Sequence, residues 1–130
     1  MSSPGNASSL WFRKAEEDLL GIRNNLNAQQ IPWGLVGFLA QQTIEKYLKG
    51  LLAAHQPTIQ RMHDLVGLLQ LCCGFVPELQ AYEARCRKVS ALYLISRYPE
   101  SRDVTELEAR DAVDTALEIR RVVLEGLKPS

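Results

Sequence analysis

The chain has 130 residues, 46% of them hydrophobic and 23% charged, which suits one domain with a buried core and a water-compatible surface. Fifteen Lys and Arg residues balance fifteen Asp and Glu residues, so no bulk charge draws the chain to nucleic acid or to a membrane surface. No run approaches the roughly eighteen apolar residues of a membrane span, and residues 1–9 lack the apolar segment of a signal peptide; the expectation is a cytoplasmic protein with no membrane contact.

Residues 1–9 are small and polar and read as a disordered tail, with Ser9 placed to cap a following helix. Trp11, Ala15, Leu19, Ile22 and Leu26 recur at steps of three and four, which predicts a helix over 10–27. After the polar connector 27–30, Pro32 suits a first helical turn. Leu35, Leu39, Thr43, Tyr47 and Leu51 form one stripe, and Val36, Ala40, Ile44, Leu48 and Leu52 form a second beside it. A band this wide predicts a central helix over 33–55, touching several neighbours. One of the two stripes is also a candidate surface for a partner.

Pro57 follows the end of that helix. Asp64 is placed as the N-cap of a short helix over 65–73, closed by Gly74. Pro77 opens the next segment, in which Leu79, Tyr82, Cys86, Val89 and Tyr93 share a face. Pro99 stops it, because the residue before a proline avoids helical dihedrals. Spacing leaves open whether 78–97 is one helix or two. Thr105 and Glu108 form a capping box, and Ala109, Ala112, Val113, Ala116, Ile119, Val123 and Leu127 carry the last helix to the end of the chain. The fold expected is all-α: an up-and-down bundle of four long helices plus one short one, a single domain over 10–128.

Cys72, Cys73 and Cys86 lack metal-ligand spacing and read as buried thiols in a reducing compartment. No cluster of His and carboxylates has metal spacing, so no metal or cofactor is expected. Charge is segregated late in the chain. Arg85, Arg87, Lys88, Arg97 and Arg102 meet a single acid, Glu100, between 85 and 102; the acids Asp103, Glu106, Glu108, Asp111, Asp114, Glu118 and Glu125 follow. Such runs are either solvated helix faces or, for the basic one, a strip suited to phosphate.

Four pieces then fall in order: Ala15-Glu16-Glu17-Asp18-Leu19; the stretch from Gln41 to Leu52 with Glu45-Lys46-Tyr47-Leu48-Lys49 at its centre; His63-Asp64-Leu65; and Arg97-Tyr98-Pro99. Together they resemble a HEPN domain, the helical domain found beside or fused to minimal nucleotidyltransferases, over residues 11–127. The resemblance implies a bundle that forms a homodimer. It also implies one of three roles: a metal-independent ribonuclease, often the toxin of a toxin–antitoxin pair; a nucleotide-binding module; or a non-catalytic partner of a nucleotidyltransferase.

The ribonucleases of that family carry an Arg, four to six residues, then a His. Here Arg97 can stand for the Arg, but Arg102 occupies the first His place, and Asp103 and Val104 the next two. Cleavage of RNA through its own 2′-OH needs a proton acceptor and a proton donor, which His supplies near neutral pH. Arg stays protonated and cannot, although it can hold a phosphate. Arg97 and Arg102 therefore read as a phosphate clamp, joined by Lys46 and Arg61 as candidate phosphate or nucleotide ligands. The alternative reading ties Arg97 to Glu100 or Glu106 as a helix-end ion pair. The expected function is a nucleotide- or RNA-binding module and nucleotidyltransferase partner. The runner-up is a ribonuclease toxin in which His63 replaces the missing His beside Arg97. His55 reads as a helix-end residue, and Trp11 and Trp33 as core or interface anchors.

Overall fold

The computed structural model describes residues 4–56 and 64–129. The candidates Arg61 and His63 lie outside the described residues. Five α-helices follow one another: α1 (Pro4–Leu26), α2 (Trp33–His55), α3 (Leu65–Cys73), α4 (Glu83–Arg97) and α5 (Glu106–Gly126), with a 3₁₀ turn at Pro77–Tyr82 before α4. No strand occurs among the described residues. The all-α bundle of four longer helices and one short one is therefore the architecture observed.

α2 is the central helix and packs against α1, α3, α4 and α5. Most of both apolar stripes is consumed inside the protomer: Val36, Ala40, Ile44, Tyr47, Leu48, Leu51 and Leu52 are buried, whereas Leu39 is half-buried and Leu35, at 45% exposure, faces out. The stripe expected as a candidate partner surface is thus mostly core, with Leu35 and Leu39 at its N-terminal end still accessible. α1 lies closest along α2, where Gly50 makes room for it: a Cβ there would collide with the Phe12 ring, which stacks on Tyr47 at 5.3 Å.

Three local features differ from expectation. α1 starts at Pro4, so residues 4–9, expected as a tail capped by Ser9, are helical. Proline is suited to the first turn, and the extra turns are held by the buried Ser8, whose hydroxyl donates to the Gly50 carbonyl at 2.8 Å. Segment 78–97 is two elements, since Pro77 opens a 3₁₀ turn that continues as α4. Gly74 follows α3 in right-handed dihedrals, so it closes the helix without the left-handed conformation glycine permits. Elsewhere the local signals match. Asp64 caps α3, accepting from the Val66 N–H at 3.3 Å, and Thr105 and Glu108 form the capping box of α5. Cys72 and Cys86 are buried free thiols and Cys73 is half-buried. Burial pushes the Cys72 and Cys86 thiols up to about 12, so they stay protonated and unreactive.

Candidate functional site

The site forms where α4 ends and α5 begins. Pro99 forbids a further helical turn, and Tyr98 adopts extended dihedrals as α4's last cap. Residues 98–105 then cross to the capping box of α5. This segment and the N-terminal turns of α2 enclose a groove of about 860 Å³, lined by Trp33, Phe38, Tyr93, Arg97, Tyr98 and Arg102, with Ser101, Asp103 and Val104 beside them. Phe38 and Tyr93 stack at 5.8 Å, Tyr98 is half exposed, and the Arg110 guanidinium lies 4.9 Å over the Trp33 ring. Trp33, expected as a core or interface anchor, is thus part of the groove wall.

The two arginines of the groove are in different states. Arg97 donates to the Tyr93 hydroxyl at 2.6 Å, with its guanidinium 5.5 Å over the same ring. It makes no ion pair with a carboxylate among the described residues; Glu106, one of its expected partners, takes Arg110 at 2.8 Å. Its charge is therefore exposed and meets no acid among the described residues. Arg102 instead makes a two-pronged pair with Glu108, NH1 to Oε1 and NH2 to Oε2, both at 2.8 Å. Glu108 also accepts from the Thr105 backbone N–H at 3.0 Å. The Arg102 guanidinium and then Thr105 hold the Glu108 carboxyl down at about 2. Arg102 is spent on stabilising the helix start, so of the two groove arginines Arg97 alone makes no ion pair among the described residues.

The remaining candidates lie elsewhere. Lys46 pairs with Asp18 at 2.5 Å and ties α2 to α1, away from the groove. His55 is exposed and stacks on Phe75 at 4.3 Å. Among the described residues, no group of three or more His, Cys, Asp or Glu side chains could hold a metal ion, and no helix is long and apolar enough to cross a membrane.

Two arrangements escaped the sequence reading. Tyr93 anchors Arg97 and is four residues before it, one helical turn away, so spacing offered a signal. The second is a buried-edge cluster of Glu16, Tyr47 and Arg120. Arg120 donates Nε to Glu16 Oε2 at 2.9 Å, NH2 to Oε1 at 3.1 Å, and Nε to the Tyr47 hydroxyl at 3.1 Å. Tyr47 also donates to Glu16. Arg120 above all holds the Glu16 carboxyl below its usual range; burial, then Glu16, pushes the Tyr47 hydroxyl up. This cluster explains why the Glu16 and Glu45-Lys46-Tyr47 pieces occur together: with Asp18 to Lys46, they clasp α1 to α2 and bring in α5.

The sequence model of the HEPN domain matches residues 8–127, and the chain belongs to that family. Membership supports a nucleotide- or RNA-related module. No curated protein and no solved structure matches the chain.

Proposed function

We propose that this HEPN protein is a homodimeric, cytoplasmic binding module for a nucleotide or RNA, and a partner of a minimal nucleotidyltransferase. The observation that carries the ligand reading is Arg97. It stands in a groove walled by aromatic rings, fixed by a neutral hydroxyl rather than by an acid. A guanidinium held this way keeps its full charge for a phosphate, and exposed rings give bases a face to stack on. The dimer and the nucleotidyltransferase partner rest on what the family resemblance implies.

The family's Arg-and-His route to cleavage finds no histidine in the described lining, whose titratable side chains besides the arginines are Tyr93, Tyr98 and Asp103. Arg102 can neither take nor give a proton. On this reading the protein binds its ligand without cleaving it.

The test is titration of the purified protein with a short single-stranded oligoribonucleotide and with ATP, wild type against Arg97→Ala. Loss of a charge-assisted hydrogen bond, about 1.5–3 kcal/mol, corresponds to roughly 10- to 100-fold weaker binding of whichever ligand is recognised. Affinity indifferent to Arg97→Ala would remove the site. Cleavage of the oligonucleotide in chelator, lost in Arg97→Ala and in His63→Ala, would replace this reading with the ribonuclease one.

A further inference from the structure

A smaller pocket, of about 410 Å³, is lined among the described residues by Gln41, Gln42 and Glu45 of α2, Asp64 at the start of α3, and Ser90 and Tyr93 of α4. Its volume lies in the range of small-ligand sites. Tyr93 also lines the Arg97 groove, so the two cavities meet at its ring. Along α2 the wall runs from Trp33 through Phe38 to Gln41, Gln42 and Glu45; along α4 it runs back from Arg97 through Tyr93 to Ser90. They are successive stretches of one antiparallel α2–α4 cleft. The Arg97 guanidinium folds back over the Tyr93 ring, and Ser90 is three residues further along, a rise of about 4.5 Å. One nucleotide can therefore reach from Arg97 into the pocket.

The polar side chains of the pocket are wired in one direction. Buried Lys49, itself held over the Trp11 ring at 5.2 Å, donates to Glu45 Oε2 at 3.1 Å. Gln41 Nε2 donates to Glu45 Oε1 at 3.5 Å, and Gln42 Nε2 donates to Gln41 Oε1 at 2.7 Å. A carboxylate paired with an ammonium only accepts. Glu45 therefore draws the N–H side of the Gln41 amide and leaves the Gln41 carbonyl to Gln42. Gln42 must answer with its own N–H, so its carbonyl Oε1 is the end of the chain, and no described residue donates to it. We infer that this pocket takes the base of the nucleotide whose phosphate Arg97 holds, and selects a base with an exocyclic amino group, the Gln42 carbonyl accepting its N–H. This rests on the ligand reading above and names the bases recognised. Adenine and cytosine present such a donor, whereas uracil and hypoxanthine carry an oxygen in its place. That oxygen would set two acceptors against each other and leave both unpaired. The carboxylate of Asp64 at the same wall favours a donor over an acceptor in the same sense.

The experiment is titration of the full chain with two pairs of ligands that differ at that group: ATP against inosine triphosphate, and a short oligoadenylate against oligoinosinate of equal length. Wild type is compared with Gln42→Leu, a half-buried position where the fold tolerates an apolar side chain, and circular dichroism confirms the fold. The expected result is that wild type binds the amino-bearing member about 3- to 10-fold more tightly, and that Gln42→Leu brings the ratio close to one. A difference due to stacking alone would survive in Gln42→Leu. Preference in either pair upholds the inference, and the pair that shows it tells a free nucleotide from RNA. Equal affinities in wild type, with binding that Arg97→Ala still weakens, overturn this pocket and leave the ligand reading standing. A preference that Gln42→Leu keeps in full overturns the role of the Gln42 carbonyl. Binding of none of the four ligands overturns the ligand reading and this inference with it.

Discussion

The protein contains two arginine–tyrosine pairs that differ by one carboxylate. Arg120 donates to Tyr47 and also to Glu16, so its charge is neutralised where α1, α2 and α5 meet. Arg97 donates to Tyr93 and meets no acid among the described residues, at the exposed end of α4. The same two residue types therefore serve two ends. With a carboxylate the pair is a fastening between helices. Without one it is a positioned cation still able to take an anion. The Arg102–Glu108 pair marks the difference within the site itself, because there the acid has converted a second groove arginine into a cap reinforcement.

This contrast can be broken at either end. The largest effect belongs to the fastening: Tyr47→Ala empties a side chain only 1% exposed. The loss is expected to be about 3–5 kcal/mol, read as a fall in melting temperature. A destabilisation under about 1 kcal/mol would show that the cluster does not tie the bundle.

Glu16→Gln keeps the shape and removes the charge. The expected cost is about 1–2 kcal/mol at neutral pH, discounted for partial exposure. The sign of its pH dependence follows from the direction of the shift. The Glu16 carboxyl is held below its ordinary value of 4.5, so its stabilisation is present above about that pH and fades as pH falls through the folded value. The gap between wild type and Glu16→Gln should therefore close in acid; a gap that is constant with pH would refute the charge role.

Glu108→Ala tests the converted arginine. It removes the capping box and costs about 1 kcal/mol. Because the Glu108 carboxyl sits at about 2, the difference from wild type should shrink as pH drops from about 4.5 towards about 2. The same substitution frees Arg102, and the groove should bind an anionic ligand more tightly and with a steeper salt dependence. Unchanged salt dependence would mean that Arg102 does not reach the ligand.

The smallest expected effect on stability is that of Arg97→Ala, within about 0.5 kcal/mol, since no buried group loses a partner. A melting shift as large as that of Glu16→Gln would make Arg97 a fastening too, and the distinction between the two pairs would collapse.

How much of this was legible in the chain depends on the range of the interaction. α2 runs from Trp33 to His55 as its double stripe predicts, and α3 from Leu65 to Cys73 between Asp64 and Gly74. The Thr105–Glu108 box was readable because cap and partner are three residues apart. The start of α1 was not, because Ser8 is held by the Gly50 carbonyl, 42 residues away. For the site, Arg97 was visible as the residue before Tyr98-Pro99, and its lone phosphate-ready charge follows from Tyr93 one turn back. The loss of Arg102 to Glu108 was hidden, since they are six positions apart across non-helical and helical backbone and only the turn geometry of 98–105 brings them together.

From its residues alone the chain declares a helical bundle, its element order and its family, because helix period, caps and prolines act within a turn or two of chain. The pairing of charges is another matter. Glu16 with Arg120 and Arg102 with Glu108 are choices among many cations and acids of equal formal charge. Coulomb attraction depends on separation in space, and only the packed helices set that separation. Tertiary structure therefore decided which arginine is a fastening and which is left with only a tyrosine hydroxyl among the described residues.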